Sequence, residues 1–181
     1  MEDIIDLLHK IGKLKSLKRK GWVLRKVPDP ESVADHSFRT SVMALLLAEK
    51  FDLDKNKCIQ IALIHDLSES LAGDVTPHDD ISEKEKHNIE KKAIVSLFKG
   101  VDGKEVIRLW DEYEERKTPE SKFVYELDKI EMLLQAFEYE QKYKGKDIDL
   151  SEFWLYVEKK VKDPKLLEII EILKRRKSSC K

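Results

Sequence analysis

Apolar residues recur at helical spacing along almost the whole chain, and the residues that break helices fall between these stretches. One face of the first stretch carries five aliphatic side chains, Ile4, Ile5, Leu8, Ile11 and Leu14. Because this spacing is that of a helix, we predict a first helix from about Asp3 to Lys18. Gly21, Pro28 and Pro30 then enclose a connection that we predict to be non-helical.

Capping residues predict where the later helices begin. Ser32, Asp54 and Thr118 each precede a helical stretch, and Ser82 forms a capping box with Glu85. The predicted helices run from Ser32 to Phe51, Lys55 to Ala72, Ser82 to Lys99, Asp102 to Arg116, Glu120 to Tyr143, Ser151 to Lys160, and onward from Pro164. Only 6 Gly and 5 Pro occur, too few for a sandwich or barrel with a turn about every 8–12 residues. We predict an all-α protein, a single helical domain over residues 1–181 with a basic C-terminal tail at about 174–181.

The charges of the chain nearly cancel, since 35 Lys and Arg face 36 Asp and Glu, for a formal net charge of −1. This balance argues against a long nucleic acid as the main partner. One segment departs from the average, because Lys10 to Lys26 contains eight basic residues and no acidic one. A non-catalytic helical module that binds nucleic acid through this segment is therefore one alternative function.

The chain shows no sign of membrane insertion or export. Its longest uncharged stretch, Thr40 to Ala48, has nine residues, whereas a spanning helix needs about twenty. Its first three residues, Met1-Glu2-Asp3, are acidic and lack the basic and then apolar layout of a secretory signal. We therefore expect a cytoplasmic protein with no membrane partner.

Ionisable residues interrupt the helical pattern at three places: Asp35-His36, His65-Asp66 with Glu69, and Asp128. Burial of a lone carboxylate or imidazole is costly, so such residues beside a core-facing stripe need partners. On a helix, Glu69 follows Asp66 by three residues and His65 by four, which places it on the same face. Two imidazoles and two carboxylates suit Mn, Co, Fe, Ni or Zn, and such an ion activates water and polarises a phosphoryl oxygen. From spacing alone, ordinary surface or satisfied core positions for these residues are the alternative.

The order His36, then His65-Asp66, then Asp128 resembles that of the HD-domain metal-dependent phosphohydrolases. The surrounding motifs are more specific: Gly21-Trp22-Val23 with Arg25, Pro30-Glu31-Ser32-Val33-Ala34-Asp35-His36-Ser37, His65-Asp66-Leu67-Ser68-Glu69, Gly73-Asp74-Val75-Thr76-Pro77, Glu85-Lys86-His87 and Phe123-Val124-Tyr125-Glu126-Leu127-Asp128-Lys129. They are similar to those of the YfbR-like 5′-deoxynucleotidases, with the HD domain-containing protein 2 group most similar. The resemblance covers about Leu7 to Glu171 and implies a helical HD-domain bundle.

The resemblance also implies an activity and a set of site residues. The family removes the 5′-phosphate from deoxyribonucleoside monophosphates, usually with Mn, Co or Mg, and it favours homodimers. Its principal ion is held at positions that match His36, His65, Asp66 and Asp128. Glu69 and Asp74 match acidic positions needed for activity, which in some members hold a second ion with the Val75 carbonyl. In other members the Glu positions the attacking water, and both roles stay open here.

Basic residues around Trp22 are candidates for binding the phosphate, since an Arg guanidinium can donate to two phosphoryl oxygens at once. Bacterial members place an Arg directly before their Trp, where this chain has Lys20-Gly21, so Arg19, Lys20 and Arg25 are all candidates. Trp22 either stacks on the nucleotide or excludes a ribose 2′-OH, as the resemblance suggests, or it anchors the core. Within the same enzyme class, an HD phosphodiesterase and a nucleoside triphosphohydrolase are the alternatives.

Overall fold

The structure is a computed structural model that describes residues 1–76, 79 and 81–179. The α-helices of the described residues are α1 Glu2–Gly12, α2 Lys20–Leu24, α3 Val33–Leu47, α4 Lys55–Ile64, α5 Glu69–Ala72, α6 Glu83–Leu97, α7 Lys104–Glu115, α8 Pro119–Lys142, α9 Ser151–Lys160 and α10 Pro164–Ser179. Two 3-10 turns, Lys13–Lys15 and Ala48–Phe51, follow α1 and α3. Across these residues the only extended pairing is an isolated bridge between Lys18 and Ser32, which confirms the predicted all-α class. Pro77, from one of the quoted motifs, lies outside the described residues.

The N-terminal region differs from its prediction in two respects. The first helix ends at Gly12 rather than Lys18, because residues 17–19 run alongside residues 31–33. The Val33 N–H donates to the Leu17 carbonyl at 2.9 Å, and the Arg19 N–H donates to the Glu31 carbonyl at 3.1 Å. The connection predicted to be non-helical contains α2. This pairing places Arg19 beside the beginning of α3.

The predicted apolar face of α1 is also partly wrong. Leu14 is buried as expected, but Ile4, Ile5 and Leu8 are 40%, 52% and 60% exposed. Leu7 is buried in the core, Ile11 packs against the core partly buried, and α1 lies against α5. Since α1 lies at the edge of the bundle, only one narrow part of its apolar surface is covered.

Caps set the helix beginnings as predicted. The Ser32 hydroxyl accepts from the Asp35 N–H at 3.1 Å, and the Asp35 carboxylate accepts from the Ser32 N–H at 2.8 Å, which closes a capping box at α3. Asp54 caps α4 by accepting from the Lys57 N–H, and Thr118 caps α8 with Pro119 at its first position. The α3 cap fixes the start of the helix that carries His36.

The prediction of one continuous helix from Lys55 to Ala72 is wrong. The helix ends at Ile64, and the next amides bond to carbonyls three residues back, as Leu67 to Ile64 and Glu69 to Asp66. This tighter pattern is that of a 3-10 turn. The His65 imidazole takes part in the break, because its Nδ1 donates to the Ala62 carbonyl at 2.7 Å. The break therefore lies at His65 and Asp66.

The long helix α8 lies at the centre of the bundle, where it packs against α3, α4, α7, α9 and α10. Leu127, Ile130 and Leu133 of α8 are fully buried in the larger of two apolar clusters. The smaller cluster surrounds Trp22 and Leu150. Ionisable residues on α8 can reach the core because neighbouring helices cover its sides along much of its length.

The expected basic tail is helical over its described part. Residues 174–179 belong to α10, and Lys177 donates to Glu140 at 2.8 Å and lies 4.4 Å from the centre of the Trp154 ring. Lys174 pairs with Glu158 and Glu171. Among the described residues, no helix combines the length and the apolar character that spanning a membrane requires.

Candidate metal centre

Three of the four predicted ligands, His36, His65 and Asp66, have ligand atoms within 4.8 Å of one another, and the fourth, Asp128, lies beside His36. His36 lies on α3, His65 and Asp66 lie in the break between α4 and α5, and Asp128 lies on α8. The Nε2 atoms of His36 and His65 are 3.3 Å apart. Asp66 Oδ2 is 3.3 Å from His65 Nε2 and 3.8 Å from His36 Nε2, and Asp128 Oδ1 is 3.2 Å from His36 Nε2.

Both imidazoles direct Nε2 toward this centre and use Nδ1 for a hydrogen bond on the opposite side of the ring. His65 Nδ1 donates to a backbone carbonyl, which only accepts, and His36 Nδ1 donates to the Glu131 carboxylate. Adjacent ligands at ordinary first-row metal distances lie about 3.0–3.5 Å apart, and most of the separations here fall in that range. His36, His65 and Asp66 thus fit a divalent ion, and Asp128 Oδ1 lies beside His36 as a candidate fourth ligand.

The centre favours positive charge by its own electrostatics. Burial and Arg19 oppose a second proton on His36, but Glu131 and Asp128 outweigh them and raise its pKa to about 10. Burial likewise opposes ionisation of Asp128, yet Lys129 and His36 hold the pKa of that carboxyl well below its usual range. A cation that binds between these groups takes the place of the charge that the imidazole otherwise carries.

Glu131 contacts His36 on the ring nitrogen that faces away from the centre, and the sequence did not predict this residue. Its side chain is fully buried; one oxygen accepts from His36 Nδ1, and the other accepts from Arg39 Nε at 2.8 Å. Arg39 is held in turn by Glu138 at 2.7 Å and by Gln135 at 2.6 Å. A carboxylate on the far nitrogen of a ligating histidine fixes its tautomer and orientation. The available signal was the spacing, since Glu131 follows Asp128 by three residues on a buried helix face.

Tyr113 and Lys129 complete the surroundings of Asp128. The Tyr113 hydroxyl donates to Asp128 Oδ2 at 3.0 Å, and Lys129 Nζ lies 2.5 Å from the same oxygen. The Tyr113 ring also meets the His65 ring edge to face, at 5.2 Å between centroids. Tyr113 is buried in the larger apolar cluster, and its hydroxyl brings a donor to a candidate ligand.

Asp66 and Asp74 both lie near enough to Glu69 to act on its charge. Glu69 is buried at the start of α5, and among the described residues its Oε2 atom has no hydrogen-bond partner. Burial and the carboxylates of Asp66 and Asp74 raise the pKa of Glu69 well above its usual range. Asp74 Oδ2 accepts from the Lys20 N–H at 2.6 Å, and the Val75 carbonyl accepts from Lys86 Nζ at 2.7 Å. A buried carboxylate oxygen without a donor fits a cation or a proton at this corner.

The three candidate phosphate-binding residues differ in how close they lie to the metal centre. Arg19 Nη1 lies 3.3 Å from Asp66 Oδ2, so its guanidinium borders the metal centre. The Lys20 side chain instead pairs with Asp79, and Arg25 pairs with Glu152 on α9. Arg19 is thus the candidate that contacts a proposed ligand of the ion.

Trp22 lies in the core, with 1% of its surface exposed. Its ring packs against Phe153 and Tyr139, and its Nε1 donates to Glu31 at 2.8 Å. Glu31 also lies 3.9 Å from Arg19 Nε. Trp22 is therefore linked to the metal centre by a chain of contacts through Glu31 and Arg19, and its ring presents no exposed face.

His36, His65-Asp66 and Asp128 follow one another in this order along a helical bundle, and this combination is that of a known class of protein. A model of the HD domain matches residues 11–169, so the chain belongs to the HD-domain family, as predicted. A relative from Danio rerio, 5′-deoxynucleotidase HDDC2, is 41% identical over 176 residues, which are 96% of this chain and 87% of that protein. Its counterpart in Dictyostelium discoideum is 46% identical over 151 residues, 78% of this chain and 80% of that protein. A solved structure of a conserved hypothetical protein from Pyrococcus furiosus matches with a TM-score of 0.79 and 38% identity, covering 94% of this chain and 99% of that one.

Proposed function

We propose that this protein is a metal-dependent 5′-deoxynucleotidase, which hydrolyses deoxyribonucleoside 5′-monophosphates to deoxynucleoside and phosphate. The observation that carries the proposal is the convergence of His36, His65 and Asp66 on one point, with Asp128 beside His36, in a chain so similar to 5′-deoxynucleotidases. A small phosphate ester also agrees with the charge pattern, in which a basic segment lies beside an acidic centre in a nearly neutral chain.

His36, His65, Asp66 and Asp128 are the proposed ligands of the ion, which when bound supplies a Lewis acid for a phosphoryl oxygen and activates water. The preferred ions are Mn, Co and Mg, with Zn, Ni and Fe as alternatives for this mixed set of nitrogen and oxygen ligands. Glu131 holds His36 in the orientation that keeps Nε2 directed at the ion.

Arg19 is the proposed phosphate-binding residue. Its guanidinium lies between Asp66 and Glu31, so two carboxylates orient it beside the centre. In the transition state, charge gathers on the phosphoryl oxygens, and a fixed guanidinium stabilises it without further reorganisation. Lys20 contributes its backbone N–H to Asp74, while Trp22 supports Arg19 through Glu31.

Glu69 and Asp74 are the proposed acid–base pair. The raised pKa of Glu69 supports a role in which it holds a proton at neutral pH and delivers it to the departing 5′-oxygen. Asp74, which already accepts the Lys20 N–H, orients the attacking water. In the alternative role, Glu69 and Asp74 are both ionised and, with the Val75 carbonyl, are the proposed ligands of a second ion in place of the acid–base pair.

The first experiment is phosphate release from dAMP, dCMP, dGMP and dTMP by chelated protein to which Mn, Co or Mg is returned. We expect activity only after the metal is returned, and none in Asp66→Asn at unchanged helical content by circular dichroism. Absence of turnover with every metal in a folded protein would refute the proposal. Pyrophosphate, triphosphate or a cleaved diester as the main reaction would instead identify a triphosphohydrolase or phosphodiesterase.

Two further expectations accompany this function. We propose a homodimer, which sedimentation equilibrium tests directly, and a cytoplasmic location, which fractionation of the source cell tests. Nucleic-acid binding that survives Asp66→Asn and weakens steeply with salt would favour the non-catalytic module in place of the enzyme.

A further inference from the structure

Lys86 brings a positive charge to the corner formed by Glu69 and Asp74. It lies in the first turn of α6, and its Nζ donates to the Val75 carbonyl at 2.7 Å. That carbonyl lies next to Asp74 in the chain, on the segment that follows α5. The ammonium therefore occupies an oxygen that a cation at this corner would also use.

The surroundings of Lys86 are acidic on several sides. Its closest carboxylate is Glu90 one turn along α6, at 3.6 Å from Nζ. Glu69, Asp66 and Asp74 also lie near enough to attract its positive charge. Glu69 Oε2 still has no hydrogen-bond partner among the described residues. The corner thus retains a buried acceptor that Lys86 does not satisfy.

We propose that Lys86 is a built-in competitor of a second divalent ion at Glu69, Asp74 and the Val75 carbonyl. An ammonium and a dication repel each other at such a distance, so the ion binds only when Lys86 leaves the carbonyl. Glu90 is the partner to which Lys86 then moves, because it lies on the same helix and is already close. The inference rests on the proposed function for its first ion, but it concerns a separate binding event.

The experiment counts bound Mn(II) from the electron paramagnetic resonance signal of the free ion during titration of chelated protein. It compares the wild type with Lys86→Met, which keeps the aliphatic stem, and with Lys86→Arg, which keeps the charge. Lys91→Met is the matched control, since Lys91 is also on α6, is similarly exposed and pairs with Asp111.

We expect the second Mn(II) to bind at least about tenfold more tightly to Lys86→Met than to the wild type, because one opposing charge is gone. Lys86→Arg and Lys91→Met should bind it as the wild type does. Glu90→Gln should weaken it, since Lys86 then loses its alternative partner. Equal second-ion affinity in Lys86→Met and wild type, or a gain in Lys86→Arg equal to that in Lys86→Met, would overturn the proposal.

Failure of the two proposals is distinguishable. If no deoxynucleotide is hydrolysed but Lys86→Met still gains affinity for Mn(II), the proposed function fails and the role of Lys86 is supported. If hydrolysis occurs and the affinity for the second Mn(II) is the same in Lys86→Met and wild type, the proposed function is supported and the competition is refuted.

Discussion

Replacement of Glu131 by Gln removes a negative charge from the interior while nearly preserving side-chain volume. Glu131 is completely buried, and its carboxylate is shared between His36 and Arg39. In Glu131→Gln the amide cannot balance the guanidinium, and its NH₂ group can turn toward His36 and favour the wrong tautomer. We therefore expect a double loss, in stability without metal and in affinity for the metal.

The expected loss in the free energy of unfolding follows from the burial of Glu131. Breaking a buried ion pair by changing one partner costs about 3–5 kcal/mol, and we take about 3 because Glu138 and Gln135 still hold Arg39. For a chain of 181 residues, 1 kcal/mol corresponds to about 2–4 °C in Tm, so the metal-free variant should melt about 6–12 °C lower. Loss of such a support for a ligating histidine weakens metal binding by about 10- to 100-fold.

Thermal denaturation in a chelator measures the first loss, and calorimetric titration with Mn(II) measures the second. Glu138→Gln is the matched control, because Glu138 also pairs with Arg39 but is 47% exposed. Exposed pairs contribute little, so this variant should lose less than about 0.5 kcal/mol and keep its metal affinity. Metal affinity within twofold of wild type in folded Glu131→Gln would refute the assigned role of Glu131.

Three further predictions concern the cap, the core tryptophan and a buried acid. Ser32→Ala should lower the free energy of unfolding in urea by about 1 kcal/mol and also weaken Mn(II) binding. Ser82→Ala, the control, should lose stability without a change in Mn(II) affinity. Equal Mn(II) affinity in the two variants would contradict the link between the α3 cap and His36. Trp22→Phe should destabilise by about 1–3 kcal/mol, because it leaves a cavity and removes the donor to Glu31; a raised KM at unchanged stability would instead support direct stacking on substrate. Burial raises the pKa of Glu90 from 4.5 to about 7, so the folded state holds a proton that the unfolded state releases, and stability falls as pH rises from about 4.5 to about 7. Between pH 5 and 8 the wild type should therefore lose more stability than Glu90→Gln, and parallel pH profiles of unfolding in a chelator would contradict this.

Much of the helical framework could be predicted from local chemistry. The caps at Ser32, Asp54 and Thr118 begin helices where expected, since a cap depends on residues within a single turn. The residue types and order of His36, His65, Asp66 and Asp128 pointed to a metal centre and to the HD-domain family. In each case the deciding information lies within a few residues or in a short motif.

The departures concern where two helices end and how much of α1 the bundle covers. The first helix ends at Gly12 because residues 17–19 pair with residues 31–33, and the helix from Lys55 ends at Ile64 where the His65 imidazole bonds to the Ala62 carbonyl. Periodicity alone reports neither event, because it does not register a backbone pairing between segments or a single side-chain bond to a carbonyl. Exposure of Ile4 and Leu8 likewise depends on how much of α1 its neighbours cover.

The sequence by itself determined which residues cap helices, which could bind a metal and which family the chain resembles. Only the tertiary structure decided that Glu131 supports His36 across 95 residues of sequence, that Tyr113 donates to Asp128, and that Arg19 rather than Arg25 borders the centre. The physical reason is range. Caps and helical periodicity are set by interactions within about one turn, whereas these contacts depend on the packing of α3, α7 and α8 against one another and on the charges that this packing buries together.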